Sequence, residues 1–404
     1  QIRCRSAIWR MAPGGGDDMI KTLKIVLTQK THEGTTERLL QLVFGYFGLY
    51  VIVGVLAKYF AVRHGIEGTL YTVYNTMGGM IIPLLVVFIW GWYKFKSNYS
   101  VTLFGLKFPK EFLYIIPSGV CTAVIIPTTT LLYVLPISVM VAMIIMRASV
   151  IIISRLVDEV QIRQGILHKK VYWEENVAVL FAILAIGLKF YYVRPGDFDF
   201  IHNAAAMTIL SSYLISYCIR LYIMNYYKNT LPKGAIYDTK GFFAIEQISA
   251  CIAVFVGGFI YYHSISPDII VHTTVSFAFQ FKDAFINVPD IWLLILLSGV
   301  PFGLVSFFSV FLFMFKGRTA TFAGLTNRLT SLIAGTTATL ITWLWLKQKA
   351  PKPEDWLGLI FIFIAIYFMS MAEKKRVVEL VQGHEIEEEK ESEMVCPVEE
   401  PLQK

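Results

Sequence analysis

Charge is scarce in this chain. Of 404 residues, only 16% are Asp, Glu, Lys or Arg, and 56% are hydrophobic. A soluble domain has about 25% charged residues to cover its surface, so this balance excludes a water-soluble globular fold. Cysteine is sparse and unpatterned. The five (Cys4, Cys121, Cys218, Cys251 and Cys396) have neither metal nor redox spacing. Three fall in apolar runs, where a thiol behaves as a small hydrophobe. No disulfide framework is expected. Histidine is missing from the middle of every apolar run: all seven lie in connections, at run ends or in the terminal segments. That leaves no expected intramembrane metal site, no cofactor and no histidine proton relay. No nucleic-acid motif is present, and the outward connections hold no N-glycosylation sequon.

What the chain does have is ten apolar runs of about 20 residues, the length that crosses a bilayer as a helix. They cover roughly 39–62, 71–93, 112–135, 137–157, 173–192, 204–227, 241–262, 291–315, 319–346 and 356–373. The fold class is therefore an all-α polytopic membrane protein with ten transmembrane helices. Connections are short except 264–290, where an amphipathic piece is expected. Residues 1–38 form a polar N-terminal segment expected to lack structure. Met11 or Met19 reads as the translation start, with no cleavable leader ahead of the first run. Residues 380–404, rich in glutamate, read as a solvated acidic tail.

Basic residues are unevenly shared between alternate connections. Thirteen lie on one side, among them Lys94, Lys110, Arg163 and Lys240, and six on the other. Cytoplasmic connections carry the excess, which puts both termini in the cytoplasm. The net charge of +7 belongs to those connections. A bacterial inner membrane is favoured over an organelle membrane.

The chain also repeats itself. Ser118-Gly119-Val120 recurs as Ser298-Gly299-Val300, Arg147 as Arg328, and Glu174-Glu175 as Glu354-Asp355, all at nearly one shift. Tyr74-Asn75 aligns more weakly with Glu246-Gln247. The repeat units are 39–193 and 204–374, five runs each. An odd number of spans inverts the second copy, an arrangement recurrent in transporters, with substrate held near the midplane.

Arg147 and Arg328 are the most informative residues. Each sits deep in an apolar run, where an arginine costs about 2.5–3.5 kcal/mol and cannot shed its proton. Guanidinium forks suit phosphate or carboxylate, so an anion-binding pair is one reading. The other is a structural arginine tied to backbone carbonyls or to Glu246. Glu246 is the one acid well inside a run. It reads as a proton-coupling group, as a fixed partner of an arginine, or as a first-turn acid favoured by the helix dipole. Tyr74, Asn75 and Gln247 read either as neutral cavity groups or as interhelical glue. Lys58 and Arg220 lie nearer run ends and are expected to snorkel. The acids Glu174, Glu175, Glu354 and Asp355 complement helix N-termini, and no catalytic pair is read in them. Pro83, Pro117, Pro127 and Pro301 are expected to kink their helices.

The stretch from Arg318 to Phe368 combines a small-residue-rich helix, a charged turn and a Trp-containing final helix. In this the chain resembles the drug/metabolite transporter superfamily, over about 39–375. The element Gly324-Leu325-Thr326-Asn327-Arg328 is similar to the G-A-L-N-K element of nucleotide-sugar transporters. MIIMRASVIIISRL is similar to a fourth helix of nucleotide-sugar-transporter-like members, and the general pattern is EamA-like. The resemblance implies substrate contact by Arg328, Asn327 and Gly324. The F-Y-N-N element of that family's seventh span is absent, and Phe242-Phe243 and Glu246-Gln247 stand in its place.

Together these readings point to a secondary transporter, not an enzyme. It would move a small polar, anionic metabolite, of nucleotide-sugar, phosphorylated or organic-acid type, by alternating access. The expected partners are that small molecule and the lipid bilayer, with a homodimer compatible. An alternative is a drug- or amino-acid-type exporter coupled to protons through Glu246. A remote alternative is an intramembrane enzyme on lipid-linked phosphates, for which the runs offer one glutamate and no histidine.

Overall fold

The computed structural model describes residues 36–395, except 98, 104–105, 168–170, 192–201, 231–235, 237, 266–276, 314–319 and 349. The described part is almost entirely helical. Helices α1 (Thr36–Arg63), α2 (Gly68–Ile89), α3 (Phe112–Val134), α4 (Val139–Arg163) and α5 (Trp173–Tyr191) come first. They are followed by α6 (Ala204–Thr230), α7 (Thr239–Ser264), α8 (Phe277–Ile286), α9 (Trp292–Phe313), α10 (Ala320–Leu346) and α11 (Pro353–Val395). Among the described residues, nine helices are long and apolar enough to cross a membrane, so the protein is a polytopic helical membrane protein. The sequence suggests ten. The one outside the nine is α5, whose 19 residues include Glu174, Glu175 and Lys189. Most of the polar segment expected over 1–38 lies outside the described residues, as do Lys169, Lys170, Lys233 and several other connection lysines.

Local chemistry sets the helix ends. Ser138 caps α4 by accepting from the Val141 amide at 3.2 Å, and Asp238 caps α7 through Gly241 at 2.9 Å. Each satisfies an amide that the first helical turn leaves open. The prolines at 83, 117, 127 and 301 lie inside helices that run on through them. Two features add to the sequence reading. Two short strands, β1 (Ser100–Leu103) and β2 (Leu106–Pro109), pair antiparallel, Ser100 facing Pro109. The stretch read as a solvated tail from residue 380 continues α11 as far as Val395. Its Glu- and Lys-rich composition is a good helix former.

Helix packing sorts into two four-helix groups. In one, α2 packs on α9, α1 on α9 and α10, and α9 on α10. In the other, α3 packs on α6 and α7, and α4 on α6. The two groups meet where α4 crosses α10, where α2 meets α3 and α7, and where α1 meets α3. Helices α5 and α11 pair with each other and lean on α4 and α10. Many large apolar side chains point outward, including Leu180, Ile183, Ile252, Phe259, Ile360 and Tyr367. That inverts the soluble pattern, as expected for a lipid-facing surface.

Each group has one crossing of unusual closeness, where backbone contact substitutes for the hydrophobic drive that lipid does not supply. In the first, a Cβ added at Gly299 would collide with the Asn75 carbonyl of α2. In the second, one at Gly119 would lie 2.6 Å from the Glu246 carbonyl of α7. The serine before each glycine then bonds the side chain opposite. Asn75 Nδ2 donates to Ser298 Oγ at 3.1 Å, and Ser118 Oγ donates to a Glu246 oxygen at 2.6 Å. Asn75 and Glu246 thus make matching contacts, whereas the sequence aligns Asn75 with Gln247.

Candidate functional site

Arg147 and Arg328 both lie on the seam between the two groups. Arg147, on α4, is 5% exposed. Its Nη2 donates to the Tyr50 hydroxyl of α1 at 2.8 Å, and its guanidinium carbon sits 5.5 Å from the centre of the Tyr50 ring. That is cation–π range. Tyr46, Tyr213 and Tyr217 also act on it electrostatically, as does Tyr133 of α3. Its Nε has no hydrogen-bond partner.

Arg328, on α10, is equally buried, at 5%. Its Nη2 donates to Ser154 Oγ of α4. Asp158, Tyr213, Tyr217 and Arg147 interact with it electrostatically. Its Nε is also without a partner. Among the described residues, neither arginine forms an ion pair with a carboxylate. Arg147 is thus held by a hydroxyl and an aromatic face and Arg328 by a serine hydroxyl with the Asp158 carboxylate nearby, and each keeps an Nε donor without a partner among the described residues.

Asn327 is wired into the same site. Its Oδ1 accepts from the Tyr46 hydroxyl at 3.1 Å, and its Nδ2 donates to Ser309 Oγ at 3.0 Å. The Tyr46 and Tyr50 rings are 4.9 Å apart, so a continuous path joins Asn327 to Arg147. Gly324 has a helical backbone, but its surroundings lie outside the described residues.

The remaining site residues read from sequence lie elsewhere. The Tyr74 hydroxyl donates to the Ala284 carbonyl of α8 at 2.8 Å. Asn75 bonds Tyr71 and Ser298 and accepts from Thr130 at 3.4 Å. Gln247 is 4% exposed, and its Nε2 has no partner. Glu246 is fully buried and takes a fork from Arg220, with bonds of 2.8 and 2.9 Å. Ser118 at 2.6 Å and Thr122 at 3.3 Å complete its set of donors.

Two snorkelling expectations are corrected here. Arg220 turns inward because α7 offers it the Glu246 carboxylate. Lys58 is 6% exposed and donates to the Leu135 carbonyl at 2.7 Å. Leu135 follows the end of α3, where helix carbonyls lack intrahelical partners. Glu174, at the start of α5, bonds Lys375 of α11.

Sequence reasoning missed the tyrosines. Their signal was present: Tyr46 and Tyr50 are four apart on α1, and Tyr213 and Tyr217 four apart on α6. Residues at that spacing share a helix face. These are the first and sixth of the expected spans.

A roomy cavity lies apart from the arginines. It has a volume of about 920 Å³ and is bordered by α2, α3, α7 and α8; neither arginine lines it.

No family model matches the chain, and no curated protein matches it. One solved protein crystal structure superposes with a TM-score of 0.45 at 11% identity, covering 84% of this chain and 99% of that one.

Proposed function

We propose that this protein is a secondary transporter for a small anionic metabolite of the phosphorylated, nucleotide-sugar or organic-acid type. The observation that carries the proposal is the arginine pair. Arg147 and Arg328 are buried on the seam, unpaired with carboxylates among the described residues, and each has an Nε without a partner. A permanent cation in hydrocarbon is costly, and intramembrane ionisable residues mark substrate paths. A visiting anion would supply acceptors for the two free Nε donors.

In this reading the chain has ten spans in two inverted five-helix repeats of the drug/metabolite transporter type. The packing supports it. Exchanging each span for its counterpart five spans away turns the contact of α2 with α9 into that of α3 with α7. It likewise turns α1 with α10 into α4 with α6, and α1 with α9 into α3 with α6. Each four-helix group draws two spans from each half. Rocking one group against the other would open the seam to either side in turn, as alternating access requires. The contacts of Arg147 with Tyr50 and of Arg328 with Ser154 bridge the two groups, so they would be remade in each cycle. Glu246 and Arg220 lie within one group and would move as a unit. We therefore assign them a tethering role and not proton coupling. The excess of lysine and arginine on one side supports cytoplasmic termini, and we retain the bacterial inner membrane as the site.

The test is a thermal-shift panel of sugar phosphates, nucleotide sugars, organic acids and amino acids, followed by uptake of the best anion into proteoliposomes. Arg328→Ala is expected to abolish uptake while leaving expression and folding intact. A charge-assisted contact worth about 1.5–3 kcal/mol corresponds to a loss of roughly 10- to 150-fold. Unchanged uptake by that variant would refute the binding role.

A further inference from the structure

The 920 Å³ cavity is separate from the arginines and has a chemistry of its own. Its α2 wall is Thr69, Thr72, Val73, Thr76 and Met77, and its α3 wall runs from Val120 to Leu131. Both wall sets recur at three- and four-residue steps, so each is one stripe of a helix. The third wall is the stretch of α7 from Ala253 to His263. Two of the three threonine hydroxyls are used within the protein, Thr72 donating to its own helix at Gly68 O and Thr69 to Gln280, while Thr76 Oγ1 is buried without a partner among the described residues. Phe255, Val256 and Phe259 are more than half exposed, so the cleft is continuous with the outward apolar face of α7.

Its depth is informative. The walls on α3 and α7 extend 12 and 11 residues, or about 15–17 Å at 1.5 Å per residue. That is half the roughly 30 Å hydrocarbon core, one leaflet. All three walls stop at the same helix ends, the start of α2 and the ends of α3 and α7. There α8 closes the top. Phe277, Phe281 and Phe285 of α8 line the cleft, and Tyr74 holds α8 by its Ala284 carbonyl. Lys282 stands at this rim, 5.3 Å from the Tyr262 ring centre and 3.3 Å from the Ile265 carbonyl. An apolar slot one leaflet deep, open to the bilayer and with an amine at the headgroup level, matches a phospholipid. We propose that the cleft binds one phospholipid, an acyl chain lying along α3 and the phosphate at Lys282.

The test uses the full chain purified in detergent. It is offered phosphatidylglycerol or a diacylglycerol of identical chains, and retained lipid is counted by native mass spectrometry. Wild type is expected to retain one phosphatidylglycerol and several-fold less diacylglycerol. Lys282→Ala should lower phosphatidylglycerol retention to the diacylglycerol level. Val124→Trp, which fills the slot, should abolish both, and Ala123→Phe serves the same purpose if the tryptophan variant does not fold. Leu184→Trp, on the exposed face of α5, should change nothing. Equal retention by wild type and a folded slot-filled variant would overturn the proposal, as would a wild type that retains no phospholipid. Equal retention of the two lipids by wild type would overturn the role of Lys282.

Discussion

Among the described residues, Arg147 and Arg328 are buried and Arg220 nearly so, and they are treated in two ways. Arg220 lies inside one helix group and has a carboxylate fork, with Ser118 and Thr122 filling out the acceptor. Arg147 and Arg328 lie between groups and have a tyrosine and a serine hydroxyl instead. The same side chain therefore serves two purposes. A buried pair such as Arg220 with Glu246 is complete, so neither member is available to anything else. A cation without a carboxylate bonded to it keeps donor capacity to spare, which is useful where a mobile anion has to be attracted and released. The location follows the same division: the complete pair sits where helices stay together, and the incomplete cations sit where two groups meet.

The sharpest way to break this comparison is to remove one member of the complete pair. Arg220→Ala leaves Glu246 as a lone buried charge, and the expected loss of stability is about 3–5 kcal/mol. The double variant Arg220→Met with Glu246→Leu should recover most of it, because an apolar pair needs no compensation. Thermal unfolding in detergent reads both, and a normal melt for Arg220→Ala would show that the pair is not a tether. Next in size is Gly299→Ala, whose added methyl meets the Asn75 carbonyl. Overpacking of this kind costs about 1–3 kcal/mol, and Gly119→Ala should behave alike. A smaller effect is expected for Tyr50→Phe, which keeps the ring under Arg147 and deletes its hydroxyl acceptor. Stability should fall by about 1 kcal/mol while anion affinity changes more, as measured by ligand-induced thermal shift.

The smallest effect concerns the connection between α1 and α2. Partial burial, then the nearby Asp283 carboxylate, raises the pKa of Glu67 above the ordinary carboxylate range. A raised folded-state value favours the protonated form, so its contribution to stability is present at low pH and is lost as pH rises through that raised value. Glu67→Gln should flatten this part of the melting profile and leave transport unaltered. An unchanged profile would remove Glu67 from the account.

Much of the fold was legible because apolar run length is a direct consequence of bilayer thickness. Runs read at 112–135, 173–192 and 204–227 correspond to helices at Phe112–Val134, Trp173–Tyr191 and Ala204–Thr230. The amphipathic piece expected within 264–290 is Phe277–Ile286. The importance of Ser118-Gly119 and Ser298-Gly299 showed as a repeat, although their job of bringing backbones together did not. Side-chain pairing was not legible, because it depends on which helices become neighbours. Arg220 looked like a snorkelling residue until α7 set Glu246 against it. Tyr74 and Asn75 read equally as cavity groups or as interhelical glue, and which helices they would meet, α8 and α9, was not legible. The tyrosines around Arg147 were hidden by their abundance, 21 in the chain, and only their matched spacing on α1 and α6 distinguishes them.

The central claim is that the seam arginines are kept incomplete for an anion. The most direct measurement compares Arg147→Gln, Arg328→Gln and Arg220→Gln for melting temperature and for anion uptake into proteoliposomes. The account predicts that the first two melt close to wild type and lose uptake, whereas the third loses stability. Collapse of the first two alongside the third, or full uptake by either, would contradict it.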